Sequence, residues 1–150
     1  MYSHLCYNII LWGNSVDSER AFKMQKRIVR LMFGYKWNAS CRPLFRDNSI
    51  MPLPTIYIYK LALHIKKYEH KFQTNDYFHD YYTRHGKKFS MDKHRLAKFE
   101  NWPTYVGKKN FNCLPKTMRC LPYVRFKSVL KRMLSSKSYY SVNEFYDDFK

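Results

Sequence analysis

The segment from Asp17 to Phe33 constrains the fold more than any other part of the chain. Ala21, Phe22, Gln25, Ile28, Val29 and Met32 recur at the spacing that puts residues on one face of a helix. Arg20, Lys23, Arg27 and Arg30 recur at i, i+3, i+7 and i+10 and share another face, with Lys26 at its edge. Asn14 or Ser15 supplies the N-cap, Asp17 and Glu19 put negative charge in the first turn, and Gly34 is the C′ stop. A helix patterned in this way must bury its apolar stripe against other elements.

The rest of the chain reads as further helices around an irregular middle. Leu5 to Trp12 fits one short apolar helix or strand, ended by Gly13. Lys36 to Ser40 is a connector anchored by Trp37, and Ser40 caps a short helix over Cys41 to Asp47, with Pro43 tolerated in its first turn. Pro52 and Pro54 push the residues before them out of the α region, so Ile50 to Pro54 is expected to be an extended, partly buried linker. A second long helix runs from Thr55 to about residue 70, with Ile56, Tyr59, Leu63 and Ile65 apolar and Lys60, Lys66 and Lys67 solvated. Gln73 to Arg95 is polar and aromatic, which predicts extended segments and turns. Tyr105 to Asn112 forms a helix closed by Pro115. Pro122 begins another, with Val124, Val129, Leu130, Met133 and Leu134 inward and Arg125, Lys127, Lys131 and Arg132 outward. The capping box Ser141-Val142-Asn143-Glu144 starts a last short helix. The fold class is therefore mainly α: one small helical domain with an irregular, extended middle segment. Its parts are a helical half over 1–72, a basic and aromatic connector over 73–104 and a helical segment over 105–150.

Charge narrows the function. The 150 residues carry 28 Lys plus Arg against 11 Asp plus Glu, a net charge of +17. Such a surplus points to an anionic partner, or to membership of a larger complex that meets one. The plainer alternative is a basic chain with no partner. The balance of 45% hydrophobic and 26% charged residues excludes a disordered, collagen-like or coiled-coil chain. Cys6, Cys41, Cys113 and Cys120 lie far apart with no C-x-x-C pair, and the opening stretch lacks a leader's pattern. These features read as reduced, mostly buried thiols in a soluble intracellular protein. Ile9 to Trp12 is much too short to span a bilayer, so no membrane partner is expected.

An ordered series of short motifs adds a resemblance. Trp12-Gly13-Asn14-Ser15, Gln25-Lys26-Arg27, Cys41-Arg42-Pro43-Leu44-Phe45 and Leu53-Pro54 are followed by Thr83-Arg84-His85, by Gly107 with Phe111-Asn112-x-Leu114-Pro115, and by Tyr140-Ser141. Over nearly the whole chain this series resembles the region C-terminal to the polymerase core in reverse transcriptases of jockey-like non-LTR retrotransposons. The resemblance implies a truncated remnant lacking the polymerase core, a segment that helps hold an RNA template or target DNA, a place against that core, and a nuclear setting. Asn110 stands where an apolar residue is common in that family.

Catalysis finds little support in the residues. Phe145-Tyr146-Asp147-Asp148 matches the aromatic-x-Asp-Asp string of a polymerase. That chemistry needs a tight hairpin and a third Asp on a neighbouring strand to hold two metal ions. Here the string follows a helix capping box, so Asp147 and Asp148 read as solvated helix residues and no catalytic role is assigned. Cys113-x6-Cys120 and His64-x5-His70 miss zinc-ligand spacing, and no nucleophile-elbow context is present, so no metal or cofactor is expected.

Binding of RNA or DNA backbone, without strong sequence preference and sensitive to salt, is the expected function. Arg20, Lys23, Lys26, Arg27, Arg30, Arg42, Arg84, Lys127 and Lys131 are its candidate residues. Arg42 and Arg84 have the alternative of pairing with a carboxylate and bracing the fold. Tyr57, Tyr59, Tyr81, Tyr82, Tyr139 and Tyr140 have the chemistry to stack on bases, but at helical spacing they read first as core. The competing reading is a non-functional transposon-derived open reading frame whose surface once packed on the missing polymerase. A metal-dependent enzyme in its own right is a third class, one that requires a tightly bound metal.

Overall fold

The computed structural model describes residues 2–77 and 86–149. Among these residues the chain is mainly helical: α1 (Tyr2–Cys6), α2 (Ile9–Trp12), α3 (Val16–Met32), α4 (Arg42–Asp47), α5 (Leu53–Lys67), α6 (Pro103–Cys113), α7 (Lys116–Arg119), α8 (Tyr123–Lys137) and α9 (Val142–Asp147). Short 3-10 turns lie at Glu69–Lys71, Asn75–Tyr77 and Ala97–Asn101.

Helix α5 is the centre of the molecule. Ile56, Tyr57, Ile58, Tyr59, Leu61, Ala62, Leu63 and Ile65 are all buried, so the helix is apolar around most of its circumference and only a narrow stripe of Lys60, His64 and Lys67 is left polar. It packs against α1, α2, α3, α6, α8 and α9. Lys66 is therefore not solvated, as its sequence position suggested. It is buried, and its Nζ donates to Glu69 Oε2 at 2.8 Å and to the Arg119 carbonyl at 2.9 Å. Helix α5 also begins at Leu53 rather than Thr55. Pro52 holds the N-cap position with extended ψ, and Pro54 falls in the first turn, where a missing N–H leaves no bond unmade.

A buried amide joins α3 to this helix start. Gln25 Nε2 donates to the Met51 carbonyl at 2.9 Å, and the Leu53 N–H donates to Gln25 Oε1 at 2.8 Å. The Gln-Lys-Arg and Leu-Pro motifs thus meet in one interaction. Phe22 and Val29 flank Gln25 on the buried face of α3 as the periodicity requires, but Met32, on the last turn, is 63% exposed. Gly34 stops the helix with φ +68°, a left-handed conformation that glycine adopts without steric cost.

Gly13 serves a different need. Its φ of −64° is ordinary for any residue, but an added Cβ would lie 2.4 Å from Tyr57 Cδ2 and 2.6 Å from the Ile9 carbonyl oxygen. Both neighbours are held, one by the core and one by the backbone. Gly13→Ala is expected to cost about 1–3 kcal/mol through overpacking. Urea unfolding followed by circular dichroism checks this, and an unchanged midpoint would refute the close approach.

Other expectations are corrected by tertiary context. Leu5 to Trp12 is not one element; α1 and α2 are separated at Tyr7 and Asn8, and Asn8 has φ +45°. Trp37 does not anchor its connector and is 86% exposed. Cys41, not Ser40, occupies the N-cap position of α4. In α8 the inward stripe is Phe126, Leu130 and Leu134, at a strict i, i+4, i+8 spacing, and Val124 is 77% exposed. The capping box forms with a variation. The Glu144 N–H donates to Ser141 Oγ at 3.0 Å, while the Glu144 carboxylate accepts from the Tyr140 N–H at 2.7 Å, one residue before the cap.

In the middle of the chain, where residues 78–85 of the expected extended segment lie outside the described residues, the described stretches on either side form a local antiparallel pairing. Thr74 bridges Phe89, Asn75 N–H donates to the Lys88 carbonyl at 3.0 Å, and Ser90 N–H donates to the Gln73 carbonyl at 2.9 Å. Asn112 fastens this pairing to α6, giving Nδ2 to the Phe89 carbonyl and accepting the Phe89 N–H, each at 2.9 Å.

Candidate nucleic-acid interface

Helix α4 touches both α3 and α8, so the three basic helices adjoin. The structure divides their cations into two groups. Lys26, Arg30 and Arg42 turn toward a cluster of rings formed by Phe22, Phe45 and Tyr140, whose centroids lie 5.0–6.3 Å apart. Lys26 Nζ sits 4.7 Å from the Phe22 centroid, and the Arg42 guanidinium carbon 4.5 Å from that of Tyr140. Arg30 Nε donates to the Ala39 carbonyl at 2.8 Å and ties the connector to α3. Arg42 Nη1 lies 2.6 Å from Glu144 Oε1, across a sequence distance that no local pattern covers. Burial pushes the Tyr140 hydroxyl up to about 12, with the Cys41 thiol adding to the rise and Arg42 and Arg30 opposing it. These cations brace the fold.

The second group faces solvent. Arg20 lies 3.9 Å from Asp17 and Lys23 lies 2.8 Å from Glu19, and all four side chains are exposed. The Lys23 ammonium holds the Glu19 carboxyl below its usual range, first by hydrogen bonding and then by charge. Exposed pairs of this kind are worth roughly 0–1 kcal/mol and are screened by salt, so a polyanion can compete for these cations. Arg27, Lys127 and Lys131 are exposed and pair with no carboxylate among the described residues. Arg46 on α4, together with Arg125 and Arg132 on α8, is exposed as well. Arg46 was missed as a candidate because its six-residue helix carries no periodic signal. Its spacing from Arg42 is i+4, which was the available clue. Arg84 lies outside the described residues, as do Tyr81 and Tyr82.

The remaining candidate chemistry is used structurally. Tyr57, Tyr59 and Tyr139 are part of the buried core. The Tyr139 hydroxyl donates to Asp148 Oδ2, which also lies 3.3 Å from Lys137 Nζ. These contacts hold the Asp148 carboxyl below its ordinary value, the tyrosine bond contributing most. Asp148 thus closes α9 onto α8, and the Asp147-Asp148 pair lies at a helix end rather than on a hairpin. Among the described residues no group of His, Cys, Asp and Glu side chains is placed to hold a metal ion, and no helix is long and apolar enough to cross a membrane.

No protein-family model, curated protein or solved structure matches the chain.

Proposed function

We propose that the chain is a non-catalytic nucleic-acid-binding segment, of the kind that follows the polymerase core in jockey-like retrotransposon reverse transcriptases. It holds RNA or DNA by the phosphate backbone, without strong sequence preference. The observation that carries this reading is the solvent-facing set Arg27, Lys127 and Lys131 on two helices that both touch α4, within a chain of net charge +17. Backbone binding requires cations that are exposed and uncommitted, because each phosphate neutralised releases a counterion. Base-specific readout requires a groove-reading element, and the reading assigns none.

The test is fluorescence anisotropy with labelled single-stranded RNA and duplex DNA, across roughly 50 to 300 mM salt, beside a basic control protein of similar charge. On duplex DNA, log affinity is expected to fall against log salt with a slope of about −0.9 per phosphate bound. Reversing Arg27, Lys127 and Lys131 to Glu should reduce that slope by about one for each side chain reversed, with the circular dichroism spectrum unchanged. Arg30 and Arg42 are unsuitable for this test because their removal disturbs packing. Affinity equal to the control's, indifferent to the reversal, would sink the proposal.

One observation favours a second reading. Leu31, Met32, Tyr35 and Trp37 leave apolar surface exposed at the end of α3. A relic whose surface once packed on a polymerase would carry such a patch, and would show low solubility with no binding beyond that of any basic protein.

A further inference from the structure

A cavity of about 220 Å3 lies away from the helix faces described above, between the turn that follows α5, the Thr74–Phe89 bridge, α6 and α7. Phe72, Phe89 and Phe111 line it, in a chain of ring contacts with centroids 5.7 Å and 5.2 Å apart. Lys87, Lys116 and Arg119 line it as well. Arg119 is held by backbone alone: Nε donates to the Leu114 carbonyl at 3.1 Å and Nη1 to the Lys87 carbonyl at 3.0 Å. Its charge is thereby oriented without being neutralised. The one carboxylate of the lining, Glu69, is already paired with buried Lys66 at 2.8 Å. Among the described residues no carboxylate pairs with Lys87, Lys116 or Arg119.

An aromatic lining with a cationic margin suits a ligand that is planar and apolar at one end and anionic at the other. The volume is below the roughly 300–1,000 Å3 of ordinary small-molecule sites, so it takes a single ring system. We infer that this cavity receives one unpaired base of a single strand, with the flanking phosphates on Lys87, Lys116 and Arg119. The inference rests on the proposed nucleic-acid binding and adds a preference for unpaired over paired strands, since a base in a duplex cannot leave its stack without cost.

The experiment compares a labelled oligothymidylate with a strand of equal length whose nucleotides are abasic, so that phosphate charge is constant and only the bases differ. The unaltered protein should bind the base-bearing strand about 5- to 140-fold more tightly, the range expected for stacking of one base. Cys120 lines the cavity and its thiol is exposed, so Cys120→Trp should fill the entrance and remove that preference while leaving the abasic affinity in place. If that variant does not fold, alkylating the exposed thiol of the native protein blocks the same entrance. Strong, salt-dependent and equal binding to both strands would overturn the cavity's role and leave backbone binding standing. A preference that survives blocking also overturns it, because the bases are then held elsewhere. Free thymidine monophosphate saturating the cavity without any strand preference would assign it to a free nucleotide and overturn the inference. Binding to neither strand removes both readings.

Discussion

Replacing Gln25 by Leu is expected to lower stability by about 2–5 kcal/mol, although Leu is apolar and of similar size. The Gln25 amide satisfies two backbone groups at once, the Met51 carbonyl and the N–H of Leu53, in a buried position. Leu53 begins α5, so its N–H has no acceptor within the helix. With the amide gone, each backbone group remains buried and unpaired, at a cost of about 1–3 kcal/mol apiece. Paired prolines at 52 and 54 leave the turn little freedom to move these groups to water. Thermal unfolding monitored at 222 nm measures the effect, with about 2–4 °C of midpoint expected per kcal/mol at this size. Gln25→Glu should also destabilise, since its carboxylate can accept the Leu53 N–H but faces the Met51 carbonyl without a proton to give. A change below about 0.5 kcal/mol for Gln25→Leu would mean the amide is dispensable.

The opposite result is expected at a second buried amide. Asn110 on α6 is 0% exposed, and neither its Nδ2 nor its Oδ1 has a hydrogen-bond partner among the described residues. Asn110→Leu keeps the branched shape and removes both unmet groups, so stability should rise by about 1–3 kcal/mol. Tyr57→Phe should act in the same direction and more weakly, because the Tyr57 hydroxyl is also buried with no partner among the described residues and burial pushes its pKa up to about 12. Chemical unfolding of the single variants and of the double variant gives both effects and their coupling. A destabilised Asn110→Leu would show that the amide is satisfied in solution. The two substitutions put the same side chain in place of an amide in one core, and the sign of each follows from hydrogen bonding alone.

Local signals carried much of the fold. The length and facing of α3 followed from periodicity, its stop from Gly34, and the start of α9 from a capping box, because each is decided within a turn or two of helix. The mainly helical class followed from the same patterns. Helix α5 was placed but misjudged, since periodicity reports a contrast between faces and the polar face of α5 narrows to Lys60, His64 and Lys67. Lys66 then had to be read as solvated, when its long stem is buried and its ammonium is met by Glu69 and by a carbonyl more than fifty residues away.

Among the candidate binding residues, the sequence by itself determined that cations cluster on α3 and α8. Only the tertiary structure decided which of them are available. Lys26 and Arg42 share the Tyr140 ring, and Arg42 reaches Glu144, so partners from the far end of the chain already engage them. Arg27, Lys127 and Lys131 stay exposed and pair with no carboxylate among the described residues. The aromatic cavity beside α7 was equally out of reach, because Phe72, Phe89 and Phe111 meet across about forty residues. Spacing along a chain specifies which side chains share a face, and burial specifies which faces meet. A cation's role depends on the second.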